Sequence, residues 1–325
     1  MMRRTAYLLA GAGIVLVISL IVKEGATEII AVLSMAGWQI LWIAGYRFVT
    51  IAADTLGWSG LIGDNSQSRL PYLFWARWVS ESFNTLLPAA QVGGHFVRAG
   101  LICRRGVTGS EAGATVVVDF TMGLTTQVIF TFMGISLLFV QYGNGNQQAG
   151  LAIGLAFGVF LLLAFFLSQR LGLFSFAARF FNRFIRDREL IDLVGGAKTL
   201  DQKISELYKK RREVFVCGSW RFISWLTKAG ESWLTLYLLG FPVTIQEALI
   251  LESLSAAARS AAFAIPGALG VQEGGILLIG TLIGIKPEVA LALALVKRGR
   301  ELMIGIPGLM TWSAAEAGYR SNLLQ

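Results

Sequence analysis

Sixteen ionisable residues stand inside stretches that are otherwise apolar enough for a lipid bilayer. Nine are basic (Arg47, Arg77, Arg98, Arg221, Lys228, Arg259, Lys297, Arg298 and Arg300) and seven acidic (Asp54, Glu81, Asp119, Glu231, Glu252, Glu273 and Glu301). A charge at the bilayer centre costs about 2.5–3.5 kcal/mol on insertion scales. A set of this size therefore implies a polar interior, although charges near the ends of a stretch can reach the interface. Spacing assigns the faces. Arg77, Glu81, Asn84 and Pro88 fall at i, i+4, i+7 and i+11, one stripe of a helix. Gln91, His95 and Arg98 form a second stripe. Arg221, Lys228 and Glu231 share a face with Trp225 between them, and Glu252 and Arg259 are seven apart. Thr115, Asp119, Met122 and Thr126 make a weaker polar stripe.

The chemistry these residues suit is anion binding. A guanidinium offers phosphate two parallel hydrogen bonds from a planar fork. The candidate binding residues are Arg77, Glu81, Asn84, Gln91, His95, Arg98, Asp119, Arg221, Lys228, Glu231, Glu252, Arg259, Gln272, Glu273, Lys297 and Arg298. The competing reading is internal pairing that only holds a bundle together, though so many ion pairs are a poor route to stability. Glu81 and Arg259 each stand seven residues before a proline, with opposite charge, which raises an ion pair between them as one reading. His95 reads either as a proton shuttle or as a hydrogen-bonded structural residue.

Elements that could carry such an interior follow from composition. Of 325 residues, 55% are hydrophobic and 15% charged, against roughly 25% charged in soluble domains. That balance excludes a water-soluble enzyme, a disordered chain and a coiled coil. Cys103 and Cys217 give no disulfide framework, one histidine leaves no metal cluster, and no GxxxxGK[ST] loop offers a nucleotide site. No metal or other cofactor is expected. The formal charge of +8 fits basic cytoplasmic loops better than a nucleic-acid partner.

Apolar stretches at 5–22, 37–57, 120–142, the run ending at 169, 214–240 and 287–315 read as about six spans. The Gly143–Gln148 stretch supplies a turn. The first stretch reads as a retained anchor rather than a signal peptide. Residues 170–213, with eleven Lys/Arg, read as a basic amphipathic loop on the cytoplasmic face. Counting outwards from it places both termini in the cytoplasm. Trp38, Trp42, Trp58 and Trp312 read as interface anchors.

Two segments, 70–103 and 247–284, are too long for one span and are broken by Pro88, Gly93 and Gly94 and by Pro266, Gly267, Gly270 and Gly274. Each reads as two limbs of about 15–18 residues around a re-entrant tip, with the glycine pairs allowing close backbone packing. The alternative is a pair of kinked full spans. With re-entrant tips, span, span, broken hairpin, span occurs twice. The expected architecture is an all-α polytopic membrane protein made of an inverted repeat, 1–142 and 143–325. Broken segments at matching positions of such repeats point to a transport site near the midplane.

The wording of the two breaks, Pro-Ala-Ala-Gln-Val-Gly-Gly from Pro88 and Pro-Gly-Ala-Leu-Gly-Val-Gln-Glu-Gly-Gly from Pro266, resembles the membrane region of the lysylphosphatidylglycerol synthase family. It is especially similar to the stand-alone branch associated with hopanoid biosynthesis. The resemblance implies a flippase-like domain in the cytoplasmic membrane of a prokaryote, with membrane lipids as partners. Aminoacyl-transferring members carry a synthetase domain after this region. The sequence here stops at Gln325, so enzymatic activity is not carried over. The leading expectation is a translocator of a polar or anionic, phosphate-bearing lipid without its own ATPase. The alternatives are an accessory subunit of lipid-synthesis enzymes and an integral-membrane headgroup transferase.

Overall fold

The computed structural model describes Ser19, Val22 and residues 26–63, 69–87, 93–142, 197–262 and 268–323. Pro88, Gln91, Pro266, Gly267, the first apolar stretch to residue 18, the Gly143–Gln148 turn, the expected span ending at 169 and residues 170–196 lie outside them. The described residues are helical, with no strand among them.

Ten α-helices follow in order: α1 Ala26–Ala36, α2 Ile40–Ile62, α3 Leu70–Leu86, α4 Gly93–Cys103, α5 Gly109–Tyr142, α6 Ala197–Lys209, α7 Arg211–Leu238, α8 Ile245–Ala261, α9 Val271–Leu282 and α10 Pro287–Leu323. A 3-10 turn, Gly37–Gln39, joins α1 to α2 at 78°. Local chemistry sets the starts. Pro71 stands in the first turn of α3, and Pro287 opens α10. Thr244 and Glu247 form a capping box on α8.

One order of lengths occurs twice. A long helix of 23 residues (α2) is followed by limbs of 17 and 11 (α3, α4) and a helix of 34 (α5). Then come 28 (α7), limbs of 17 and 12 (α8, α9), and 37 (α10). Among the described residues the second helix of each pair of limbs is the shorter, and each ends in a turn with a glycine at positive φ, Gly106 at +84° and Gly284 at +88°.

Two apolar cores lie towards opposite ends of the long helices. One joins Leu138 of α5, Leu236 of α7 and residues 289–296 of α10 to α8, α9 and Ile43 of α2. The other joins Trp58 of α2, residues 112–118 of α5, Cys217 of α7 and the limbs α3 and α4, with Trp312 of α10 against it. The ion-paired interior residues of α2, α5, α7 and α10 fall between these positions along each helix, so the bundle is apolar, then polar, then apolar. By length and apolarity only α5 qualifies singly as a span among the described helices, and α1 with α2 as a bent pair. The helices α7 and α10 are long enough but carry the polar layer.

Two sequence expectations change here. Trp58 is fully buried rather than an interface anchor, because α2 turns it into the second core. The helix α6, cut from the basic loop, sets Leu207 and Leu200 against protein, with Leu200 beside Gly113 of α5. Its apolar side is covered by the bundle rather than by lipid.

Candidate functional site

The polar layer begins at Asp119, a third of the way along α5 and fully buried. Its Oδ2 accepts from Arg77 Nη1 of α3 at 2.6 Å and from Arg98 Nη1 of α4 at 2.8 Å. One carboxylate therefore ties both limbs of the first broken segment to α5. Arg77 also reaches Asp54 of α2 at 3.4 Å, and Asp54 accepts from Arg221 Nη1 of α7 at 2.6 Å. Arg98 lies 4.3 Å above the Trp58 ring, a stacked, buried arrangement suited to guanidinium. Its Nη2 is 3.4 Å from His95 Nδ1.

A second network joins the other half. Arg300 of α10 pairs with Glu231 of α7 at 3.0 Å. Arg47 of α2 bonds Glu81 of α3 and stands 3.8 Å from Glu231. Arg259 of α8 and Arg298 each donate to Glu301 at 2.8 Å, and Arg298 Nε donates to Glu273 at 2.5 Å. Glu252 of α8 accepts from Lys297 of α10 and from Ser232 of α7. Glu81 and Arg259 thus pair with Arg47 and Glu301, not with each other, which corrects the pairing suggested by their spacing from the prolines.

The link from first limb to long helix occurs in both halves with its sign reversed. It is Arg77 to Asp119 in one and Glu252 to Lys297 in the other. Likewise Arg47 and Asp54 are seven apart on α2, as Arg221 and Lys228 are on α7.

The two networks enclose a cavity of about 310 Å³, at the lower end of the size of small-ligand pockets. Its wall draws on α2, α3, α4, α5, α7, α8, α9 and α10. Of the expected residues, Arg77, Glu81, Asn84, His95, Arg221, Lys228, Glu231, Glu252, Arg259, Gln272 and Lys297 line it. Arg98, Asp119, Glu273 and Arg298 do not; Arg98, Asp119 and Arg298 hold His95, Arg77 and Glu301, which do, and Glu273 holds Arg298. Asn84 does both, since its Oδ1 accepts from Gly94 N–H at 2.7 Å and fixes the start of α4.

Glycine positions explain part of the shape. A side chain at Gly94 would run into the Ser80 carbonyl, so α4 starts flat against α3. One at Gly123 would occupy the place of the Arg221 guanidinium. Gly275 packs against Ala258, whereas Gly274 faces open space, so only the former fits the expected close approach. Gly270, at φ +80°, donates its N–H to Glu273 Oε2 at 2.8 Å and opens α9. Gly93 is buried at the start of α4.

The candidate list omitted wall residues that the structure adds: Arg47, Asp54, Arg300, Glu301, Ser80, Gln127, Ser255 and Trp225. Their signal was the charge itself in four cases, single within apolar sequence at Arg47 and Asp54 and in the run 297–301 for the other two, outside the stripes chosen. Ser80, Gln127 and Ser255 carried none. Gln127 is held by Ala256 O at 3.1 Å and Ser260 Oγ at 2.5 Å.

One lining cation stands apart. Lys228 makes no ion pair among the described residues; its Nζ rests 3.7 Å above the Trp225 ring. Gln272 Oε1 is buried without a hydrogen-bond partner among them. No group of three potential metal ligands occurs among the described residues.

An all-α bundle with an ion-paired polar layer around a small cavity, clothed in apolar surface such as Trp38, Trp42, Phe132 and Phe139, is the build of a membrane protein with a polar interior. Residues 6–308 match the lysylphosphatidylglycerol synthase TM region, and the chain belongs to that family. It is a membrane protein with a lipid-related role. Comparison with curated proteins and with solved structures gives no match.

Proposed function

We propose that the protein moves a polar or anionic, phosphate-bearing lipid across the cytoplasmic membrane of a prokaryote, without an ATPase of its own. The headgroup enters the charged cavity while the acyl chains stay in the bilayer. The observation that carries this reading is Lys228: an unpaired cation on the wall of a cavity whose other charges are paired. A purely structural network has no use for a desolvated ammonium that no carboxylate pairs with directly. The recurring order of helix lengths and the sign-reversed links support an inverted repeat, in which α4 and α9 bring His95 and Gln272 to the cavity wall.

The test is reconstitution. Proteoliposomes carrying the purified protein should scramble or flip headgroup-labelled anionic lipid faster than empty vesicles. Arg77→Ala and Arg259→Ala should each abolish the gain while the protein still purifies as a folded species. Wild-type protein that leaves lipid asymmetry unchanged, with bulk-like co-purified lipid, would favour an accessory subunit of lipid-synthesis enzymes instead.

A further inference from the structure

The interior charges do not cancel, and the imbalance has a location. In the second network Arg47, Arg259, Lys297, Arg298 and Arg300 face Glu81, Glu231, Glu252, Glu273 and Glu301, five against five. In the first, Arg77, Arg98 and Arg221 face only Asp54 and Asp119. Lys228 has no carboxylate within 4 Å among the described residues; Asp54 and Glu81, each already ion-paired, attract it only from farther off. Two positive charges are therefore left over, one among the three arginines and one at Lys228. They meet on α7, where Arg221 and Lys228 flank Trp225 on the cavity wall. The cause is visible in the repeat: at the place where the first half carries Asp54, the second carries Lys228. Gly123, lacking a side chain, leaves the Arg221 guanidinium its room.

A surplus of two charges in a low-dielectric interior calls for an anion that supplies both. Resting on the lipid reading above, we propose that the Arg221–Lys228 end of the cavity receives a dianionic phosphate, the phosphomonoester of a lipid headgroup. A phosphodiester carries one negative charge and leaves one cation uncompensated. A zwitterionic headgroup leaves both, and its ammonium finds only carboxylates already ion-paired. Arg221 suits two of the phosphate oxygens and Lys228 a third, as a fork and a point charge do. The unpartnered Gln272 Oε1 accepts a hydroxyl of the headgroup.

Native mass spectrometry of the protein from vesicles with equal phosphatidic acid, phosphatidylglycerol and phosphatidylethanolamine reads this directly. Wild type should retain phosphatidic acid over phosphatidylglycerol by about tenfold or more, the worth of one charge-assisted hydrogen bond. Inorganic phosphate at millimolar concentration should displace it. Lys228→Gln should remove the preference, with phosphatidylglycerol now held as well or better, and Lys228→Arg should keep it. Equal retention of the two anionic lipids by wild type, or an unaltered preference in Lys228→Gln, overturns the proposal. Retention of phosphatidylglycerol alone does so while leaving lipid transport standing. Binding of inorganic phosphate with no lipid retained supports the dianion site and removes the lipid reading on which transport rests.

Discussion

Replacing Asp119 by asparagine removes one charge and strands another. The carboxylate accepts from Arg77 and Arg98 at 2.6 and 2.8 Å, and neither it nor Arg98 has exposed side-chain surface. At an effective dielectric of about 20, unit charges at those separations attract by roughly 6 kcal/mol each. The variant regains the several kcal/mol spent in desolvating the carboxylate. Arg77 keeps Asp54, 3.4 Å away, while Arg98 keeps only the Trp58 ring and His95. The balance is a loss of about 3–5 kcal/mol, the range for breaking a buried pair from one side. Equilibrium unfolding in mixed micelles, followed by tryptophan fluorescence, measures it. Arg104→Gln is the control: its partner Glu316 lies 2.7 Å away, but the side chains are 30% and 20% exposed, so the loss should stay below about 1 kcal/mol. Adding Arg98→Met to Asp119→Asn removes the stranded charge and should recover at least about 1 kcal/mol. Asp119→Asn indistinguishable from the Arg104→Gln control, or a double variant with no recovery, would refute the claim that uncompensated charge is what the limbs are built to avoid.

Two glycine substitutions should separate packing from binding. Gly94→Ala drives a methyl into the Ser80 carbonyl, a backbone atom that cannot step aside, and should cost about 1–3 kcal/mol of stability in the same unfolding measurement. Gly123→Ala meets only the far end of a flexible arginine. It should cost about 1 kcal/mol or less by unfolding while displacing Arg221, so lipid flipping in proteoliposomes should fall severalfold; full flipping in that variant would remove Arg221 from the binding wall.

Much of this arrangement was legible from the residues. Proline and glycine marked both breaks, because neither can sit in the interior of a helix without cost, and isolated charges in apolar runs marked the polar layer. The partners were not legible. Glu81 and Arg259 looked matched because each lies seven residues before a proline, but pairing depends on which helices meet, and α10 stands beside α3 and α9 while α7 runs along α2. The sign-reversed counterparts are Arg77 with Glu252 and Asp119 with Lys297, four residues whose relation shows only once limb and long helix are aligned. Cavity depth was equally hidden: Arg98 and His95 are three apart on one helix, yet one stacks behind the wall and the other lines it. Trp58 looked like any interfacial tryptophan because a sequence carries no record of which face a guanidinium will cover.

The division of charge between the halves also bears on how the chain is made. Arg47, Arg77 and Arg98 find Glu81, Asp54 and Asp119 within the first 142 residues, so the interior charges of the N-terminal half, three of each sign, can pair among themselves. At about 5–20 residues per second, Arg221 follows Tyr142 by roughly 4–16 seconds. The half that arrives last brings the unmatched cations, and it brings them on α7, the helix that must slide against finished ones. Of the two α7 cations Arg221 gains its carboxylate, Asp54, only by docking on the N-terminal half, and Lys228 gains no direct partner there.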